Sequence, residues 1–166
     1  MLNALVPRNG YQVTRDLAYG EGPRRVLDLY VPNAPRTGTP LIVFFYGGRW
    51  DSGTKDWYPF VAQALATRGY ATAIPDYRVY PEVRYPAFLE DGAAAVAWLA
   101  AYRRDAGLGA GPIYLMGHSA GAHIAAMLAL DARWLDGAGI DRCRTIAGMI
   151  GLARSEEHTS ELQSRL

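Results

Sequence analysis

Residues 117–121 form the pentapeptide Gly117-His118-Ser119-Ala120-Gly121, whose Gly-x-Ser-x-Gly spacing suits nucleophilic attack by a serine hydroxyl. The apolar run IYLM leads directly into it, and an alanine-rich segment follows it. Such a strand–turn–helix junction exposes the serine and directs a helix N-terminus toward developing negative charge. The glycines remove side chains that would collide with neighbouring backbone. The pattern predicts acyl transfer with Ser119 as nucleophile. The alternative is a small-residue loop without chemistry.

A second glycine-rich segment, Tyr46-Gly47-Gly48-Arg49-Trp50, directly follows the apolar run PLIVFF. Acyl transfer needs two N–H donors for the oxyanion of the tetrahedral intermediate. One donor is the residue after the nucleophile, here Ala120, and the other comes from a loop after an early strand. Gly47 and Gly48 occupy that place in chain order, so the segment is a candidate oxyanion loop. A plain glycine turn is the alternative.

Several other polar and aromatic residues lie near these two motifs. His118 and His123 are expected to pack or form hydrogen bonds rather than act as bases, since His123 follows Ser119 by one helical turn. Asp76 and Asp91 are expected to brace loops. Three side chains could line a substrate pocket, which the sequence leaves open: Trp50, Asp51 and Tyr80.

The elements that must position these residues follow from the hydrophobic pattern. Two alternating segments near the start are typical of half-buried strands, and short continuous apolar runs are typical of strands covered on both faces. The predicted strands are 11–19, 25–31, 40–46, 70–78, 113–117 and 145–153, and the predicted helices are 56–68, 86–104 and 120–130. This alternation predicts an α/β fold whose mostly parallel sheet has helices on both faces and an antiparallel edge.

Composition limits the classes of partner. The 166 residues are 50% hydrophobic with a net charge of +1, which indicates a globular domain and favours neither nucleic acid nor anionic lipid. The single cysteine, Cys143, has no partner for an internal disulfide and is expected to be buried. A signal-peptide pattern and a run of roughly 18 apolar residues are both missing, so the cytoplasm is the default location. No Cys/His cluster indicates a metal, and serine acyl transfer needs no cofactor.

Three segments together resemble α/β-hydrolase-fold serine esterases of the hormone-sensitive-lipase-like and feruloyl-esterase-like groups, which include arylformamidases. They are FFYGGRWDSGTKDWY, IPDYRVYPEVRYPAFLEDGAAAVAWL and LMGHSAGAH, in the family's order, and the resemblance covers residues 10 to 153 approximately. The family usually has His-Gly-Gly where this chain has Tyr46-Gly47-Gly48. Because the oxyanion donors are backbone groups, a tyrosine in place of the histidine need not abolish the oxyanion hole. The resemblance implies Gly48 and Arg49 as the loop donors beside Ala120, with Gly47 less favoured.

The rest of a catalytic triad is not expected within this chain. A serine nucleophile needs a histidine base and an orienting acid, and in this fold the order is serine, acid, histidine. Asp141 and His158 follow Ser119 in that order, but Asp141 precedes the predicted sixth strand, whereas the acid of the resembled family follows the seventh. Residues 154–164, RSEEHTSELQS, also match the translation of a common sequencing adapter, so His158 is expected to have no role.

We therefore expect residues 1–153 to be the N-terminal portion of a single α/β-hydrolase domain, truncated after about strand six, and residues 154–166 to be a non-native tail. The predicted function is that of a serine hydrolase acting on small-molecule carboxylic esters through an acyl-enzyme intermediate. This chain alone is expected to be inactive. The alternatives are an arylformamidase or small-amide hydrolase, and a non-catalytic protein on a hydrolase scaffold. The acyl and alcohol groups of the substrate and the oligomeric state stay open.

Overall fold

Six strands form one mixed sheet in a computed structural model that describes residues 9–152. The strands are β1 Tyr11–Ala18, β2 Val26–Pro32, β3 Leu41–Phe45, β4 Ala71–Pro75, β5 Ile113–His118 and β6 Ile146–Leu152. Their order across the sheet is β1-β2-β4-β3-β5-β6. The four strands β4, β3, β5 and β6 are parallel, while β1 and β2 extend the sheet in antiparallel pairing. This arrangement confirms the predicted fold class and its antiparallel edge.

Helices cover both faces of the sheet, as predicted. They are α1 Pro59–Ala66, α2 Ala87–Tyr102, α3 Ala120–Leu130, α4 Ala132–Gly137 and α5 Arg142–Thr145. Adjacent strand residues point to opposite faces: the ring of Phe44 contacts Tyr58 beside α1, whereas Phe45 faces Gly92 of α2. Ile124 of α3 also contacts Gly92, so α2 and α3 share a face. None of the described helices is long and apolar enough to span a membrane.

The burial of the strands follows their sequence patterns. In β1, whose residues alternate between apolar and polar, exposed and partly buried positions alternate at both ends of the strand. In β3 and β4 all five residues are buried, which explains their unbroken apolar composition. The strand that leads to the serine, β5, lies between β3 and β6 inside the parallel part of the sheet. The candidate nucleophile is therefore attached to a strand that has neighbours on both sides.

The predicted helix 56–68 is divided in the structure. Residues Lys55–Trp57 form a 3-10 turn, and α1 begins only at Pro59. Proline lacks a backbone N–H and has a fixed φ, so it suits the first position of a helix better than the interior. The side chain of Thr54 caps the 3-10 turn by accepting from the N–H of Asp56. Sequence periodicity did not reveal this division, because the apolar positions continue through both parts.

Two short helices after α3 were not predicted. Both begin at an aspartate whose side chain accepts a backbone N–H, Asp131 for α4 and Asp141 for α5. They are too short for their apolar residues to show a period. The expectation that Cys143 is buried was wrong, since Cys143 is exposed. It lies on α5, a single turn without a buried residue.

One buried carboxylate links the segment after β4 to α2. Asp91 is fully buried, and its two oxygens accept from Nε of Arg78 at 2.9 Å and from Nη2 at 2.7 Å. The backbone N–H of Arg78 donates to the same carboxylate at 3.0 Å, and Nε of Arg25 lies 3.2 Å from it. Asp91 therefore has the bracing contacts that were expected of it.

We expect Asp91→Ala to lower the free energy of unfolding by about 3 kcal/mol, because it leaves two guanidinium groups without their buried counter-charge. Urea denaturation followed by circular dichroism measures the change. Asp105→Ala, which removes an exposed carboxylate, is the control and should change stability by less than about 0.5 kcal/mol. Equal effects of the two substitutions would contradict this assignment.

The edge of the sheet at β6 carries exposed apolar side chains within the described range. Met149, Ile150 and Leu152 are 37%, 44% and 38% exposed.

An apolar strand edge promotes pairing with another copy, so we expect the chain to self-associate as concentration rises. Ile150→Lys should shift sedimentation toward the monomer, whereas Leu130→Lys, at a site that is 79% exposed on α3, should not. Association that is unchanged by Ile150→Lys would exclude this edge as its cause.

Candidate active site

Ser119 lies in a sharp turn between β5 and α3. Its φ of 53° and ψ of −119° are a conformation that costs a non-glycine residue about 1–3 kcal/mol. The Ser119 N–H donates to the carbonyl of Leu152, at the end of β6, at 3.0 Å. Its carbonyl accepts from the N–H of Ala122, in the first turn of α3, at 2.9 Å. The flanking strand and helix thus hold the serine in this conformation.

The two glycines of the pentapeptide allow α3 to start directly against the sheet. A β-carbon on Gly117 would lie 2.1 Å from the carbonyl oxygen of Gly121. One on Gly121 would lie 2.1 Å from the carbonyl oxygen of Phe45, the last residue of β3. Any larger residue at either position would push α3 away from β3 and β5.

The segment after β3 approaches the serine through Gly47. A β-carbon on Gly47 would lie 3.0 Å from Cβ of Ser119 and 2.9 Å from the carbonyl oxygen of His118. Burial raises the pKa of the Tyr58 hydroxyl, while a hydrogen bond from the backbone of Gly47 lowers it. The backbone of Gly47 therefore lies next to the Tyr58 hydroxyl.

Residues 47–53, which we call the glycine loop, contain three successive positive φ angles. They are 158° at Gly48, 55° at Arg49 and 70° at Trp50. The carbonyl of Gly48 accepts from the N–H groups of Asp51 and Ser52 at 3.1 and 3.0 Å and from the Ser52 hydroxyl at 2.8 Å. Since the second and third of these angles belong to non-glycine residues, the loop is strained and must be held by its surroundings.

A buried polar network lies beneath the glycine loop. The hydroxyl of Tyr46, a fully buried residue, donates to Oδ1 of Asp76 at 2.6 Å. The same oxygen accepts from the N–H of Lys55 at 2.7 Å. Nη2 of Arg24 donates to the Tyr46 oxygen at 3.2 Å and to the carbonyl of Gly53 at 2.8 Å. Asp76 therefore braces this loop, as its position in the sequence indicated.

Aromatic contacts hold the Tyr46 ring in place. It stacks on Tyr58 and Tyr77, with centroid separations of 5.7 and 4.8 Å, and the Tyr77 hydroxyl donates to the Tyr46 carbonyl at 2.8 Å. Burial raises the pKa of both Tyr46 and Tyr77 above the ordinary tyrosine value, so both phenols stay protonated. Burial also raises the pKa of Asp76, against the opposing hydrogen bonds from Tyr46 and Lys55.

Lys55 is tied to the antiparallel edge of the sheet. Its ammonium lies 2.7 Å from Asp16 and 2.9 Å from Asp28, and Lys55 is only 5% exposed. Burial lowers the pKa of Lys55, but hydrogen bonds to the two carboxylates outweigh it and the net shift is upward. This cluster secures the segment that follows the glycine loop.

The other residues that the sequence singles out near the site are partly buried in the core and partly at the surface. Nδ1 of His118 is buried without a hydrogen-bond partner among residues 9–152 and faces Gly47. The rings of His123 and Trp50 are perpendicular, with their centroids 5.4 Å apart, and the Trp50 ring stacks on the Phe88 ring with a centroid separation of 4.5 Å. Trp50 is 8% exposed, so its ring packs into the core. Other candidates lie at the surface or half-buried: Arg49, Asp51 and Tyr80.

The aspartates that follow α3 are engaged elsewhere. Asp131 accepts from the N–H and Nε of Arg133, and Asp141 accepts from the N–H of Arg144. His158 lies outside the described residues, as does the expected non-native tail 154–166. Between residues 9 and 152, no group of three or more His, Cys, Asp or Glu side chains could hold a metal ion.

Sequence reasoning missed the residues that support the glycine loop from below. Arg24, Tyr58 and Tyr77 come from separate parts of the chain and carry no motif. The one signal was the tyrosine at position 46, where the resembled family usually has histidine.

The sequence of the chain matches a known protein family and several curated relatives. The BD-FAE family profile matches residues 27–142, more than half of the chain. The isoprenylcysteine alpha-carbonyl methylesterase of Arabidopsis thaliana is 38% identical over 72% of this chain and 28% of its own length. The kynurenine formamidase of Danio rerio is 33% identical over 76% of this chain and 42% of its own.

A solved structure supports the same placement. The structure of esterase B from Lactobacillus rhamnosis with a tributyrin phosphonate is 26% identical and superposes with a TM-score of 0.75 over 91% of this chain and 51% of that chain. The chain thus spans about half of this structure and less than half of the two relatives. The chain belongs to the BD-FAE family and has the α/β-hydrolase fold of its esterase relatives.

Proposed function

We propose that the protein to which this chain belongs hydrolyses carboxylic esters through an acyl-enzyme intermediate on Ser119. The observation that carries the proposal is the strained serine between β5 and α3, with Gly47 in contact with its β-carbon. The Ser119 oxygen forms a bond to the acyl carbon, and the bond from that carbon to the alcohol oxygen breaks. A base carries the serine proton to the leaving alcohol, and water then releases the carboxylic acid.

The oxyanion donors proposed are the backbone N–H groups of Ala120, Gly48 and Arg49. Ala120 is the first residue of α3, and N–H groups in a first helical turn have no acceptor within the helix. Gly47, whose backbone lies next to the Tyr58 hydroxyl, is the less favoured donor. We assign Gly47 the role of allowing close approach to Ser119, and Gly117, His118 and Gly121 the role of forming the turn.

We also propose that this chain lacks the acid and the histidine of the triad and that they lie in the part of the full-length protein that follows Ala153, so that residues 1–153 supply the nucleophile and the oxyanion hole. Two observations support this proposal. Asp131 and Asp141 serve as helix N-caps. The match to this chain covers only 28% to 51% of the length of the related proteins. A small-molecule ester substrate and a cytoplasmic location stay predictions from the sequence.

Hydrolysis of an aromatic formamide is the second candidate, favoured by the kynurenine formamidase relative. The same serine and oxyanion donors would serve, because the formyl carbon passes through a similar tetrahedral intermediate. A comparison of kcat/KM for an unactivated alkyl ester and for an N-formyl aromatic amine, each divided by the rate constant of its uncatalysed hydrolysis, decides between the two candidates. The ester proposal expects the larger value for the ester.

We expect Ser119→Ala to lower kcat/KM for p-nitrophenyl acetate on the order of 10⁴-fold, because the acyl acceptor is lost. The assay uses the protein encoded by the complete reading frame, obtained by sequencing the source gene past the Ala153 codon. Thr67→Ala, which removes an exposed hydroxyl at the end of α1, is the control and should keep full activity. A Ser119→Ala protein with nearly normal activity would refute the assignment.

Gly47→Ala should reduce kcat about 100-fold, since its β-carbon would displace Ser119 or the glycine loop by a few tenths of an ångström or more. Gly137→Ala is the matched control, because a β-carbon there meets nothing within 4 Å. Steady-state kinetics in the same full-length protein measure both variants. Normal kcat in Gly47→Ala would show that this approach does not matter for the reaction.

A further inference from the structure

The glycine loop is held at its two ends and at Trp50, whose ring packs into the core, while its other middle residues lie at the surface. Gly47 and Gly53 are buried, whereas Arg49, Asp51 and Ser52 are exposed. The non-glycine residues Arg49 and Trp50 have φ values of 55° and 70°. A strained segment of this kind keeps one conformation only if its surroundings hold it, and the Trp50 ring does not fix the Gly47 and Gly53 ends.

Tyr46 is the residue that contacts both ends. It directly precedes Gly47, and its ring carbon Cε2 lies 2.7 Å from the position of a β-carbon on Gly53. Arg24 joins the two by donating to the Tyr46 oxygen and to the Gly53 carbonyl. The phenol of Tyr46 therefore lies inside the base of the loop.

Asp76 connects the phenol to the segment beyond the loop. Its Oδ1 accepts from the Tyr46 hydroxyl at 2.6 Å and from the Lys55 N–H at 2.7 Å. Because Asp76 follows β4 directly, this oxygen ties both strand ends, β3 and β4, to the chain leaving the loop. Hydrogen bonds to a buried carboxylate are among the stronger ones in proteins.

We propose that Tyr46 is a positioning residue for the reaction, and that its hydrogen bond to Asp76 holds the glycine loop with Gly47 against Ser119. This inference rests on the proposed function, since the loop is taken to supply oxyanion donors. Tyr46 touches neither substrate nor reacting atoms in this role. It acts by limiting the movement of the Gly48 and Arg49 N–H groups.

The Lys55 cluster does not replace this contact. Its ion pairs to Asp16 and Asp28 fix the 3-10 turn after the loop, but they do not reach the Gly47 end. Loss of the Tyr46 hydroxyl should therefore loosen the loop while the turn and the sheet keep their structure.

The test removes one oxygen atom, in Tyr46→Phe. Its matched control is Tyr30→Phe, because Tyr30 is 1% exposed and its hydroxyl is buried with no hydrogen-bond partner among the described residues. Hydrogen–deuterium exchange of the present chain is measured at the amides of Asp51, Ser52 and Lys55, whose N–H groups donate within the loop or to Asp76. The expected result for Tyr46→Phe is exchange roughly tenfold faster at these amides and unchanged exchange in β3 and β5, with no change in Tyr30→Phe.

Steady-state kinetics of the full-length protein provide the second measurement of the effect of Tyr46→Phe. Tyr46→Phe should lower kcat for p-nitrophenyl acetate roughly 10- to 100-fold with little change in KM, because the donors act on the transition state. Unchanged loop exchange overturns the inference whether or not the enzyme is active. Faster loop exchange with normal kcat overturns the positioning role. A wild-type protein without esterase activity refutes the proposed function, and the exchange data then still decide whether Tyr46 holds the loop.

Discussion

The backbones of β3, β5 and α3 approach each other so closely around Ser119 that three positions admit no side chain. Gly121 packs on the carbonyl of Phe45, Gly117 packs on the carbonyl of Gly121, and Gly47 packs on Ser119. This contact lets a helix start directly at the ends of two parallel strands. The strained turn, the proximity of the glycine loop and the position of the helix N-terminus all depend on it. A single β-carbon at Gly117 or Gly121 would separate the parts that the proposed chemistry needs together.

Buried polar groups next to these glycines hold the glycine loop through hydrogen bonds, which an apolar core could not form. Tyr46, Asp76 and Arg24 form hydrogen bonds whose partners include backbone groups on either side of the loop. Arg24 comes from the turn between β1 and β2, and the partners of Lys55 come from β1 and β2 themselves. The antiparallel edge of the sheet thus supports the site, although it carries none of the proposed catalytic groups. Since the carboxylates of Asp28 and Asp76 are buried and paired, loss of one partner should cost more than an apolar substitution at the surface.

The sequence was sufficient to predict the fold class because its signals are local. Apolar runs such as LIVFF mark strands buried on both faces, and α3 was predicted with its observed bounds because Ser119 and Asp131 delimit an alanine-rich segment. The pentapeptide 117–121 and the glycine segment after β3 were recognised in the sequence for the same reason, since each is contiguous. Three short elements, the 3-10 turn before α1 and the helices α4 and α5, were not predicted, because so few residues show no hydrophobic period. The polar network was not predictable, because residues 24, 46, 55, 76 and 77 meet only after the sheet has formed.

Covalent modification tests most directly whether the fold makes Ser119 a nucleophile. The protein encoded by the complete reading frame is treated with a fluorophosphonate, digested and mapped by mass spectrometry. We predict one adduct, on the peptide that contains Ser119, and no adduct on the present chain, which is proposed to lack the base. A full-length protein that stays unmodified at Ser119, or that is modified at a different serine, would show that Ser119 is not the nucleophile.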